Sequence, residues 1–178
     1  MHNGLMADPT NEYTRKIKEI TSKGSKKLTD ADYEERDRLE WEAGLYWDDQ
    51  LGPIIPSDNI ERCIQLGAQK SRNGKDAQAA VFCIEPVLKL NYAGPRTKAD
   101  LYANPNYQLR RGVAVQRSRI IRMRPMFPTS WSLEIALEYD ETVISSERNL
   151  MKWMDDAGAL IGLGDWRPKF GRFVVEKI

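Results

Sequence analysis

The sequence predicts an α+β fold in which a small antiparallel sheet packs on helices. Three observations lead there. The segment "SWSLEIALEYD" puts Trp131, Leu133, Ile135, Leu137 and Tyr139 on one side and Ser132, Glu134 and Glu138 on the other, the period-two signature of a half-buried strand. The next segment, "SSERNLMKWMDDAGALIGLG", spaces Leu150, Trp153/Met154, Ala157 and Leu160/Ile161 at helical intervals. Ahead of both, "AAVFCIEPVLKLNY" reads as one or two strands edged at Pro86. At 178 residues the chain is expected to form one domain, residues 1–178, with a sizeable core.

The remaining elements follow in order. "TNEYTRKIKEITSK" aligns Tyr13, Ile17 and Ile20, with Thr10 or Asn11 as the helix cap. A second helix opens at Thr29, with Asp32 at the capping-box position, and ends near Gly44. These helices make residues 1–52 a helical N-terminal segment. "GPIIP" is extended between two prolines, and Ser57 or Asp58 caps a helix whose apolar face is Ile60, Ile64, Gly67 and Ala68. "QKSRNGKD" forms a cationic turn. Residues 94–128 form an inserted basic excursion, expected as an arginine-rich hairpin with a bulge or turn at Ile120–Ile121. Gly162 and Gly164 end the last helix, and "GRFVVEKI" is the final strand. A strand–helix–strand–strand–helix–strand, ferredoxin-like order fits if one strand precedes Met1 or comes from elsewhere.

Composition narrows the chemistry. No run of 18 apolar residues exists, so a membrane-spanning helix is not expected, and the first dozen residues lack the apolar core of a secretory signal. Cys63 and Cys83 have no metal-like spacing and read as reduced, buried thiols. His2 is the lone histidine, which argues against a zinc site or a histidine-based triad. No cofactor is expected. The carboxylate pairs Asp48/Asp49 and Asp155/Asp156 are more simply solvated surface than a magnesium site for a nuclease.

Net charge is +1, but it is unevenly spread. Nine acids lie between Thr29 and Asp49: Asp30, Asp32, Glu34, Glu35, Asp37, Glu40, Glu42, Asp48 and Asp49. Between Leu101 and Leu133 there is no acid, and the cations are all arginine: Arg110, Arg111, Arg117, Arg119, Arg122 and Arg124. Guanidinium groups suit phosphate and stack on bases. Two readings stand for this cluster: nucleic-acid binding, or pairing with the acidic segment within the fold or between subunits.

Two segments resemble the RAMP superfamily, the ferredoxin-like RNA-binding subunits of CRISPR effector complexes. "IIPSDNIERCIQLGAQ" resembles the segment that opens their first helix, and "GALIGLGDWRPKFGRFVV" resembles their last helix, glycine-rich loop and last strand. The latter ending is also similar to that of uncharacterised phage-encoded RAMP-like proteins. "MHNG" looks like the residues that follow the first strand in such proteins. The resemblance covers roughly Pro53 onward. It implies non-catalytic binding of single-stranded nucleic acid, RNA ahead of DNA, along a groove and in an array of identical subunits. It also implies a phage or mobile-element protein working in the cytoplasm of a bacterial host cell.

The residues that carry this expectation are Ser57, Asn59 and Arg62 at the first helix and Gly162, Gly164, Trp166, Arg167, Lys169, Gly171 and Arg172 in the loop. Lys70, Arg72 and Lys75 of the cationic turn and the six arginines of the excursion complete the set. Asp58 and Asp165 depart from the family pattern, each putting an acid beside an expected phosphate position. The alternative is a protein–protein interaction module, such as an inhibitor of a host defence complex that imitates a RAMP subunit, with the acidic helix as its docking surface.

Overall fold

The computed structural model describes residues 8–24, 26–115 and 118–178, the side chains of residues 114, 115, 118 and 119 excepted. In chain order the first elements are α1 (Glu12–Ser22), α2 (Asp30–Gly44), β1 (Trp47–Asp48), β2 (Gly52–Pro56), α3 (Ser57–Ala68), α4 (Gly74–Ala80) and β3 (Val81–Cys83). Then follow β4 (Val87–Lys89), α5 (Lys98–Ala103), β5 (Gln108–Val115), β6 (Ser118–Pro125), β7 (Leu137–Tyr139) and α6 (Glu147–Asp156). This is an α+β chain with small antiparallel sheets. It divides into two compact units, Met1–Pro53 with Asn91–Ser132, and Ile54–Leu90 with Leu133–Ile178. Among the described residues no helix is long and apolar enough to cross a membrane.

In the first unit both helix starts follow from their capping residues. Asn11 accepts the Tyr13 N–H, and Thr29 and Asp32 exchange side-chain and backbone bonds as a complete capping box. The core is aromatic: Trp41, Leu45, Tyr92, Leu101, Tyr107 and Met123 are buried, with Trp47, Tyr102, Phe127 and Trp131 packed against them. Tyr92 and Tyr107 meet Phe127 edge-to-face at 5.0 and 5.7 Å. The Trp41 indole N–H is not left orphaned, because it donates to Tyr107 O at 2.9 Å.

The basic excursion is more regular than its sequence suggests. α5 forms within it, capped by Thr97 accepting the Asp100 N–H. β5 and β6 then pair without interruption, from Gln108 opposite Pro125 to Val115 opposite Ser118. The bulge expected at Ile120–Ile121 is absent, since Ile120 faces Val113 and Ile121 faces Gly112. Arg110 falls on one face of this continuous ladder, and Arg111, Arg122 and Arg124 on the other.

In the second unit, Ile54–Pro56 pairs antiparallel with Val87–Lys89, and β3 pairs with β7. A strand therefore lies directly ahead of α3. α3 buries Ile60, Cys63, Ile64, Gly67 and Ala68. A side chain at Gly67 would place its Cβ 2.3 Å from Trp153 O, so the glycine is what lets α3 and α6 touch backbone to backbone. α6 continues into a π turn, Ala157–Ile161, and stops at Gly162 with φ 80°. Leu160 on that turn, expected inward, is half exposed.

Two expected strands are not formed as such. "SWSLEIALEYD" keeps its alternation of exposure, but ladder bonding in this unit covers Leu137–Tyr139. The partner β3 is only three residues long; Ile84 N–H adds one bond to Ala136 O, and Pro86 follows with no N–H to give. The terminal "GRFVVEKI" joins no ladder with the described residues. One of its backbone ties, Phe173 N–H to Gly158 O at 3.3 Å, goes to the π turn.

Candidate nucleic-acid interface

Two arginines of the basic excursion, Arg110 and Arg122, rest on α2. Arg110 Nε donates to Asp37 Oδ2 at 2.9 Å, and Arg36 Nη2 donates to Asp37 Oδ1 at 2.7 Å. Arg122 pairs with Glu40 Oε1, while Glu40 Oε2 accepts the Met123 N–H at 3.0 Å. Glu40 has no exposed surface and Asp37 is 6% exposed. Arg36 Nε finds no hydrogen-bond acceptor and lies 4.0 Å from Glu40 Oε1. Internal pairing, the second reading of the arginine cluster, therefore describes Arg110 and Arg122. Arg117 lies outside the described residues, as does the side chain of Arg119; the "MHNG" start is outside them too.

That pairing does not use up the charge. Opposite residues of an antiparallel ladder share a face, so Arg111 stands directly across from Arg122, and Arg124 directly across from Leu109 on the same side. Arg111 is exposed and forms no ion pair with a described carboxylate, and Arg124 reaches the Met123 carbonyl at 3.4 Å. Asp37 and Glu40 were visible in the sequence only as members of an acidic run. Their spacing of three puts them on one helical face, which is the signal that could have singled them out. Three further acids of α2 are also engaged: Glu35 and Glu42 hold Arg38, and Asp32 caps the helix and holds Lys23.

In the second unit the expected phosphate site at α3 is poorly disposed. Ser57 is the first helical residue and not the cap; its N–H is taken by Pro86 O at 3.0 Å, and no side chain caps the helix. Glu61 follows within α3. Its carboxylate accepts the Cys83 N–H at 2.9 Å, at the edge of β3. Asp58, Glu61 and Glu85 act on the Cys83 thiol, which burial first and these charges next push up to about 11. Asn59 is half-buried, and exposed Arg62 is tied to Gln65. Lys70, Arg72 and Lys75 are exposed, with Arg72 in the left-handed region at φ 66° and Lys75 inside α4 and not in a turn.

The glycine-rich loop is closed by its own backbone. Leu163 N–H donates to Gly171 O at 2.8 Å, and a Cβ at Gly171 would lie 1.8 Å from Leu163 O. Trp166 sits at φ 55°, its N–H on Asp165 Oδ1, and its ring is 6.3 Å from that of Phe170. The peptide bond Arg167–Pro168 is cis. Lys169 stands over the Phe170 ring, and Arg172 Nε donates to Pro168 O at 3.0 Å. Arg167, Lys169 and Arg172 are exposed and form no ion pair with a described carboxylate. Cys63 lies beneath, its Sγ 3.4 Å from Gly162 O; burial pushes its thiol up to about 11 against the opposing pull of Arg167.

Of the acid pairs, Asp48 accepts the N–H groups of Gln50 and Leu51 and so builds a turn, and Asp156 pairs with Lys152. The chain matches no family model, no curated protein and no solved structure.

Proposed function

We propose that this chain binds single-stranded nucleic acid, RNA ahead of DNA, and does not cleave it. The observation that carries the reading is Arg111 standing directly across from Arg122 with a single carboxylate, Glu40, behind the pair. Like charges directly opposed across a ladder repel one another, and a phosphodiester laid over that face relieves the repulsion. The exposed cations of the glycine-rich loop, Arg167, Lys169 and Arg172, support the reading within the second unit. The order Ile54–Pro56, α3, β3 and β4, β7, α6 and the terminal segment supports a ferredoxin-like, RAMP-like assignment of that unit. The engagement of Glu35, Asp37, Glu40 and Glu42 inside the first unit favours this proposal over a docking role for the acidic helix.

The test is a titration of labelled single-stranded RNA and DNA at two salt concentrations. Binding should weaken with salt by about 0.7 in the log–log slope per phosphate contact. Arg111→Ala should weaken binding and lower that slope. Absence of binding to either strand at low salt overturns the proposal, and so does magnesium-dependent cleavage of the bound oligonucleotide.

A further inference from the structure

The terminal segment is extended but joins no ladder with the described residues. From Gly171 to Glu176 its side chains alternate between half-buried and exposed. Phe173 and Val175 turn toward the protein, while Arg172, Val174 and Glu176 turn to solvent, with Val174 88% exposed. The Phe173 N–H is directed at Gly158 O. In an extended chain the N–H and C=O of alternate residues point to opposite edges, so those of Arg172, Val174 and Glu176 point away from that contact. Val174 through Ile178 make no backbone hydrogen bond with any described residue. An edge of unpaired peptide groups flanked by outward valine is a template for another strand.

The side chains along this edge say which strand. Pairing the segment antiparallel with a second copy of itself, centred on Val174, sets Val174 against Val174 and Arg172 against Glu176, twice, because the arrangement is symmetric. The same register makes Val174 a hydrogen-bonded pair with itself, the parity the free edge requires. Lys177 does not disturb the match, since it is occupied by Glu147 of its own chain. Arg172 uses Nε on Pro168 O, leaving its two amino groups free to meet a carboxylate. A shift of the register by two residues sets Arg172 or Glu176 against Val174 and loses both ion pairs.

We infer that residues 172–176 form a self-complementary edge through which two copies of this chain pair in antiparallel fashion. Such an interface uses the same patch on both copies and closes at two, so it yields a dimer and not a filament. The inference does not rest on nucleic-acid binding, and its test is made without nucleic acid.

The experiment is sedimentation of the full chain over a dilution series. Because the interface is small, the dimer should be seen near about 100 µM and dissociate on dilution. Val174→Pro removes the central N–H from an exposed position and should make the protein monomeric. Glu176→Arg sets arginine against Arg172 and should weaken the dimer about tenfold or more. Arg172→Glu should do the same alone, and the double exchange Arg172→Glu with Glu176→Arg should restore the dimer. A monomeric wild type at the highest concentration overturns the inference. So does a dimer untouched by Val174→Pro or Glu176→Arg, or one that the double exchange fails to restore. None of these results bears on the affinity for oligonucleotides, so the two proposals fail separately.

Discussion

Glu40 is the residue on which most of the first unit's charge turns. It has no exposed surface, and it holds Arg122, the Met123 N–H and the neighbourhood of Arg36 at once. Removing one partner of a buried ion pair leaves the other uncompensated, at a cost of several kcal/mol. Glu40→Gln is therefore expected to lower stability by about 3 kcal/mol in denaturant titrations. Asp37 and Arg110 form the contrasting pair, because Arg110 is 56% exposed and its charge is screened. Their coupling in a double-mutant cycle should be no more than about 1 kcal/mol. The thiols give a simpler check. Burial raises Cys63 and Cys83 to about 11, so both are protonated at neutral pH. Ellman's reagent should react slowly with the native protein at pH 7.5 and rapidly with both cysteines once it is unfolded. Rapid titration of either thiol in the native state counts against the burial described.

The elements whose boundaries were legible are those with a local chemical reason to begin or end. Asn11, the Thr29–Asp32 box and Gly162 each act within a few residues of themselves, and each helix end fell where the sequence put it. The apolar positions of α3 were legible for the same reason, since helical periodicity is local. The strands were not, because a strand's length depends on a partner elsewhere; "SWSLEIALEYD" alternates over its whole length, but its ladder with β3 covers Leu137–Tyr139. The candidate site divides in the same way. Its cations could be read off directly, but the acids that hold Arg110 and Arg122 are 73 and 82 residues away. The capping box offers a pH test at this scale. The Lys23 ammonium, then the Thr29 N–H and hydroxyl, hold the Asp32 carboxyl down at about 2, below its ordinary 3.8. A depressed carboxyl contributes stability above its unfolded value and loses it as pH falls through the folded one. The N-terminus of α2 should hold above pH 4 and fray between about 4 and 2, and Asp32→Asn should remove that dependence in helix-specific hydrogen exchange. At Gly158, a Cβ would lie 2.3 Å from Phe173 O, so Gly158→Ala should push the terminal segment off the π turn. The expected cost is about 1–3 kcal/mol, and tryptic release of the last residues should accelerate.

Across the whole molecule, charge is balanced in sum and separated in place. The net charge of +1 hides cations without described carboxylate partners in both units, Arg111 in the first and Arg167, Lys169 and Arg172 in the second. Polyanion binding should consequently be stronger than the net charge suggests and steep in salt. Neutralising Arg167 and Lys169 together should lower the salt slope for RNA, whereas Lys18→Ala, on the exposed side of α1, should leave it unchanged. The interleaving of the two units carries a further consequence, for the chain as it is made. Synthesis delivers the first half of one unit, then the first half of the other, and only at Ser132 is the earlier unit whole. By then α3 has long emerged with Ile60, Cys63 and Ile64 on its inner side, while Trp153, the backbone against which Gly67 closes, has yet to be translated. A nascent chain therefore carries a greasy, unclosed helix through several dozen codons, and it is in that interval that a chaperone, or aggregation, has its opportunity.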